Sequence, residues 1–227
     1  MRYFYKRVGL FVTWKVLMTT KRRTQDERSA ETRGLLQEAT VRSLMEVGYT
    51  NTSTSGIAKR AGVSRGAQTH HYPEKMDLIV SATEYMFLNF ADNLEKLATD
   101  LAKGRLTYDS FFDAVWQEMK TGDWFYSSLE IIVAARGDSE LRERLRPLII
   151  VLHQRFEEIW TKTFEATDPQ RLGVRPVMNL VMNVFRGMAV QAVLRPDPAY
   201  FEDMLSAMKT ILAVHLRPRQ LASDAVP

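Results

Sequence analysis

The residues best equipped for chemistry are gathered in one stretch, 64–75, which reads SRGAQTHHYPEK. Ser64 is a residue type whose hydroxyl caps the start of a helix. Beyond it, Arg65, Gln68, Thr69, His70 and His71 carry donors that reach phosphate oxygens and base edges, before Pro73 ends the helix. An arginine fork matches guanine and a glutamine amide matches adenine, so this is the chemistry of recognition. Signatures of catalysis are missing: the chain has no GxSxG elbow, no GxxxxGK[ST] loop and no HExxH pair. With no cysteine at all, thiol nucleophiles, disulfides and thiolate metal sites are excluded. His70 and His71 are neighbours, and on a helix neighbouring side chains point about 100° apart and cannot share one ion. No catalytic residue, metal or cofactor is therefore assigned.

The elements that must position this stretch can be read just upstream. Residues 53–62 form a short helix that Thr52 or Ser53 caps and Gly62 closes, with Ile57, Ala58 and Ala61 on its inner face. Two short helices separated by Ala61, Gly62 and Val63 make a helix-turn-helix, with the second as reader. Free backbone donors where the first of them starts suit a phosphate, and capping alone would select the same residues. Before these, Leu35, Leu36, Ala39, Leu44 and Val47 recur at helical spacing over 29–47. Thr24 with Glu27 is a capping box that would start that helix earlier, and Gly48 stops it.

Charge separates the reader from the remainder. Residues 1–75 carry 14 Lys and Arg against 6 Asp and Glu, whereas 76–227 carry 17 against 21. A basic module joined to a mildly acidic one expects a polyanion at the first part only. The expected organisation is a basic, disordered leader over 1–23, a DNA-binding unit over 24–75, a helical ligand-binding and dimerisation unit over 76–217, and a tail over 218–227. Met18 is a candidate alternative start within that leader. The leader's apolar run is broken by Lys15 and is too short to span a bilayer, so no membrane partner and a cytoplasmic location are expected.

After Pro73 the pattern is helical throughout, which sets the fold class as all-α with about nine helices. Helices are expected over 74–103, up to Lys120, over 124–136, over 139–166 with a kink or break at Pro147, over 176–194 and over 199–216. The last two have broad apolar faces that suit a two-fold helix pair. A ligand pocket is expected among Phe87, Phe112, Trp116, Met119, Trp124 and Tyr126, with Phe156, Trp160, Met182 and Phe185. Glu130 and His153 are its candidate polar anchors, and the composition suits an apolar or aromatic effector. For each of these side chains plain core packing is the competing reading.

Gly48-Tyr49, Thr52-Ser53, Ile57-Ala58, Ala61-Gly62-Val63-Ser64, Gly66, His71-Tyr72 and Lys75 together resemble the N-terminal signature of the TetR family of transcriptional regulators. The resemblance implies a three-helix DNA-binding domain, a helical ligand-binding domain, a four-helix dimer interface formed by the last two long helices, and a repressor released from a palindromic double-stranded operator by a small molecule. Carried across by position, Thr52 and Ser53 imply phosphate contacts. Ser64, Arg65 and Ala67 imply the exposed end of the reader helix, His71 and Lys75 imply backbone contacts, and Tyr72 implies packing on the first helix. Two positions depart from the pattern: the family commonly has a buried leucine and a phosphate-binding tyrosine where this chain has Gln68 and Thr69. Gln68 either turns inward and hydrogen-bonds or turns outward to adenine, and His70 can replace the missing tyrosine contact. A helical carrier or enzyme with a vestigial DNA module is the competing functional reading.

Overall fold

The computed structural model describes residues 24–219. The leader, the alternative start at Met18 and the end of the tail lie outside the described residues. Among the described residues nine helices and two three-residue strands follow in order: α1 (Gln25–Asn51), α2 (Thr54–Ala61), α3 (Arg65–His71), α4 (Lys75–Ala102), α5 (Tyr108–Thr121), α6 (Asp123–Gly137), α7 (Ser139–Thr163), β1 (Phe164–Ala166), α8 (Val174–Ala192), α9 (Pro198–His215) and β2 (Leu216–Pro218). The fold is all-α. No helix among the described residues is long and apolar enough to cross a membrane.

Local rules start and stop these helices. Thr24 and Glu27 form the capping box of α1, with the Thr24 N–H donating to Glu27 Oε2 at 2.8 Å and the Glu27 N–H donating to Thr24 Oγ1 at 3.1 Å. At the far end Gly48 adopts φ 76° and ψ 171°, a conformation reserved to glycine, and one more turn reaches Asn51. Ser53 caps α2, Ser64 caps α3, and Gly62 closes α2 in the left-handed region at φ 66°. Thr107 caps α5 and Asp138 caps α7. Of the kink or break expected at Pro147, the break does not occur, and α7 runs through that residue undivided. Pro147 lies on its exposed face, so the carbonyl that loses a partner four residues earlier, at Glu143, is at a solvent-facing position. The helix then stops at Thr163, because 164–166 pairs antiparallel with 216–218. Three-residue strands leave no periodic trace in sequence.

Two hydrophobic clusters organise the packing. A small one holds Leu36 and Ala39 of α1, Ile57 of α2, Tyr72 at the end of α3, and Leu78 of α4. A large one holds α4 to α9 and takes in Val41 and Leu44 from the next turns of α1. The first helix thus has a foot in each cluster, and its most extensive packing is against α6 and α4. Polar ties reinforce that junction: Ser127 Oγ of α6 donates to the Val41 carbonyl at 2.9 Å, and Glu130 Oε2 accepts from the Tyr49 N–H at 3.0 Å.

A further tie joins α4 to α7. Asp77 accepts from the Glu74 N–H at 3.1 Å, helping to cap α4, and from the Arg144 guanidinium at 2.6 Å. The Arg144 hydrogen bond, helped by that of the Glu74 N–H, holds the Asp77 carboxyl below its usual range. A depressed carboxyl pKa adds stability above the unfolded value, near ~3.9, and the gain disappears as pH falls through the folded value. Asp77→Asn should accordingly lower the melting temperature at neutral pH, with the gap to the parent narrowing as the pH is taken down through that range, measured by thermal denaturation monitored by circular dichroism.

Candidate nucleic-acid interface and apolar cleft

The reader helix is seven residues long, too short to be stable alone, so its surroundings must hold it. Ser64 Oγ accepts from the Ala67 N–H at 3.2 Å and fixes the first turn. At the other end Tyr72 is buried in the small cluster, and its hydroxyl lies 2.8 Å from Ser81 Oγ of α4. Gln37 of α1 donates to the same Ser81 Oγ at 2.8 Å. One hydroxyl therefore joins the reader to the two helices behind it. With its inner side anchored, α3 exposes Arg65, Thr69 and His70, while Ala67 and His71 are half-buried. Ser53, exposed at the start of α2, spends its side chain on the Gly56 N–H at 3.1 Å, and Ser55 beside it is an exposed hydroxyl that the sequence reading missed.

Three of the expected DNA contacts are placed differently. Gln68 is 2% exposed and donates to the Tyr72 carbonyl at 2.6 Å, so it occupies the inward alternative and cannot meet a base in this arrangement. The amide supplies the hydrogen-bond partner that the last turn of α3 needs. Thr52 is 3% exposed, its hydroxyl 3.1 Å from Ser43 Oγ and donating to the Gly48 carbonyl at 2.8 Å. It serves the turn after Gly48, leaving no side-chain donor for a phosphate. Lys75 donates to the Tyr49 carbonyl at 2.7 Å with its ammonium 4.2 Å from the centre of the Tyr49 ring, and burial lowers its pKa. Burial, then the charges of His70 and Arg33, also lower the pKa of His71.

The second feature is an apolar cleft of about 490 Å³ between α4, α6, α7 and α8. This falls in the range of small-molecule sites. Phe87, His153 and Phe156 line it, as expected. The other pocket candidates do not. Phe112 and Trp160 are sealed in an aromatic cluster with Phe111 and Phe164, and Trp116 packs against Phe185 and Phe201. Met119 and Met182 are core, Trp124 stacks on Phe90 at 4.1 Å between ring centres, and Tyr126 donates to the Ala189 carbonyl at 3.5 Å. Their bulk is used to fill the interior. Glu130 is exposed and reaches Tyr49 instead of a ligand. Missed were Met86, Ile131, Leu145, Leu152 and four arginines, 136, 142, 146 and 186, all lining the cleft. One signal was available, since Arg186 is a lone charge in the apolar run of α8.

Among the described residues no group of His, Cys, Asp and Glu could hold a metal ion. The model of the tetR family of bacterial regulatory proteins matches residues 36–82, which span α2, α3 and the parts of α1 and α4 that hold them. The HTH-type transcriptional regulator CymR of Pseudomonas putida is 32% identical over 192 residues, covering 82% of this chain and 91% of its own. This chain belongs to the TetR family. It is a helix-turn-helix, DNA-binding transcriptional regulator. The fold is shared with a TetR transcription regulator from Haloarcula marismortui (19% identity, TM-score 0.62, 83% of this chain and 100% of that one). It is shared also with reduced NemR of E. coli (18% identity, TM-score 0.61, 79% and 97%).

The inward Gln68 generates a test within this family frame. Gln68→Ala should cost about 1–3 kcal/mol of stability by leaving the Tyr72 carbonyl without its buried partner. DNA affinity should fall alike for all sequences. A changed preference at a single adenine, read by binding to a set of singly substituted duplexes, would instead make Gln68 a base reader.

Proposed function

We propose that this TetR-family regulator is a ligand-responsive repressor that binds a palindromic operator as a homodimer in the cytoplasm. The observation carrying the reading is the place of α6: one of its faces walls the cleft through Ile131 and Ala135, while Ser127 holds α1 at Val41 and Glu130 holds it near its end at Tyr49. A small molecule that moves α6 moves the frame on which α3 sits. In this proposal α4, which leaves the reader and lines the cleft through Met86 and Phe87, gives one coupling route, and α6 with α1 gives a second. Release of DNA requires the ligand to favour one arrangement over the other, and ~1–3 kcal/mol of coupling is ordinary.

Support for the homodimer comes from apolar side chains left uncovered on the last two long helices. Leu180, Val184 and Leu194 in and just after α8, with Met204, Ile211 and Val214 on α9, are exposed at helical spacing. Burying these stripes against a two-fold copy would make a four-helix interface and place two α3 helices about 34 Å apart, one turn of the duplex. Such a dimer reads both halves of an inverted repeat. On the DNA side, we assign Arg65, Thr69 and His70 to base edges and phosphates, with Ser53, Ser64, Ala67 and His71 beside the backbone.

Two measurements follow. A gel shift with the DNA upstream of the protein's own gene should give a specific complex, and its absence across a range of low salt would contradict the reading. In that assay Arg65→Ala should weaken specific binding by about 1–3 kcal/mol and relax one base position if it reads guanine. For the dimer, the pair Leu180→Glu and Ile211→Glu should sediment as a monomer with unchanged helical circular dichroism and lose operator binding. Retention of the dimer by that variant would move the interface elsewhere.

A further inference from the structure

The cleft between α4, α6, α7 and α8 has an apolar floor and an unbalanced charge. Phe87, Ile131 and Phe156 contribute to the floor, and four arginines but no aspartate or glutamate line it. Two of the four are engaged: Arg142 donates to the Ala135 carbonyl at 3.2 Å, and Arg146 pairs with Glu143 at 3.1 Å. His153 lies 3.5 Å from Glu157, a carboxylate also 3.5 Å from Arg175 and therefore shared before it can serve the cleft.

Arg186 differs from these. It is half-buried in the wall formed by α8, and among the described residues it has no ion pair and no hydrogen bond. The other two half-buried arginines among the described residues each have a carboxylate: Arg144 has Asp77, and Arg155 has Asp92. Burial lowers the pKa of Arg186, a sign of the desolvation it carries, yet a guanidinium remains charged throughout the accessible pH range. A desolvated cation in a cleft without internal counter-charge raises the local concentration of anions. Its planar fork matches the two oxygens of one carboxylate, and of the four arginines it alone is half-buried without an ion pair or hydrogen bond among the described residues.

We propose that the cleft binds a monocarboxylic acid with an apolar aromatic or alkyl body, its carboxylate held by Arg186. This rests on the reading of the cleft as the effector site and narrows the effector from an apolar molecule to an amphipathic anion. The aromatic walls take the body of the molecule and set its size, while Arg186 sets its orientation and sign. Arg136, which is exposed at the cleft and also without an ion pair or hydrogen bond among the described residues, adds to the attraction at the entrance.

The test uses the full chain and a fixed panel of octanoate, decanoate, benzoate, 3-phenylpropionate and 1-naphthoate, each beside its own primary amide. Thermal shift should show stabilisation by at least one acid and little by the matching amide, with calorimetry giving the affinities. Arg186→Met keeps the apolar stem and should weaken acid binding by about tenfold to a hundredfold. Arg186→Lys should restore part of it, which separates charge from packing, and circular dichroism of both variants checks the fold. Amides matching their acids, no acid stabilising the protein, or full acid binding by Arg186→Met would each overturn the assignment. Operator release is followed in the same titrations. Release by amides alone leaves the regulator standing and removes this inference, whereas acid binding without release keeps the inference and removes ligand control.

Discussion

The arrangement depends on holding a seven-residue helix in one orientation. A helix of that length has neither the hydrogen bonds nor the buried face to persist alone. What holds α3 is its far end: Tyr72 enters the small cluster, its hydroxyl meets Ser81, Ser81 meets Gln37, and Gln68 closes the last turn on the Tyr72 carbonyl. Each of these groups is buried or half-buried, and each has a partner. With the inner side so committed, Arg65, Thr69 and His70 remain free to face outward. The polar network fixes direction as well as adding stability, because a tyrosine held only by apolar contact could rotate or slide.

The same economy of contacts connects the reader to the remainder of the chain. Gly48 breaks the regular course of α1 with a backbone conformation that only glycine adopts readily, and the turn it creates presents the Tyr49 N–H to Glu130 and the Tyr49 carbonyl to Lys75. Three helices, α1, α4 and α6, therefore converge on one residue. Since α6 also walls the cleft, a displacement of about one ångström there would be felt at Tyr49, given that packed interiors transmit strain instead of absorbing it. In our proposal, this convergence is the physical basis for ligand control.

What could be read from sequence follows from the range of the interactions involved. Capping is a matter of three or four residues, and Thr24 with Glu27, Ser53, Ser64 and Gly62 act where their types and spacing place them. The order and type of the helices were legible for the same reason, since amphipathic periodicity is local. The two strands were not, because 164–166 and 216–218 are too short to show alternation and meet only through the tertiary fold. The cleft was misjudged for a related cause. Aromatic residues attract attention as ligand contacts, but Phe112, Trp160 and Phe185 supply the volume that closes the core. The cleft lies where three helices fail to close over a fourth, and its arginines come together from α6, α7 and α8 with no common motif. Gln68 was ambiguous on composition alone: an amide can serve a base or a carbonyl, and only the nearby end of α3 decides between them.

Selection of bound sequences from a pool of randomised duplexes tests the central claim most directly. A dimer with two α3 helices one duplex turn apart should enrich an inverted repeat whose half-sites are centred about 10 base pairs apart, or a multiple of that spacing. Enrichment of a single asymmetric site, or no enrichment over the starting pool, would contradict it.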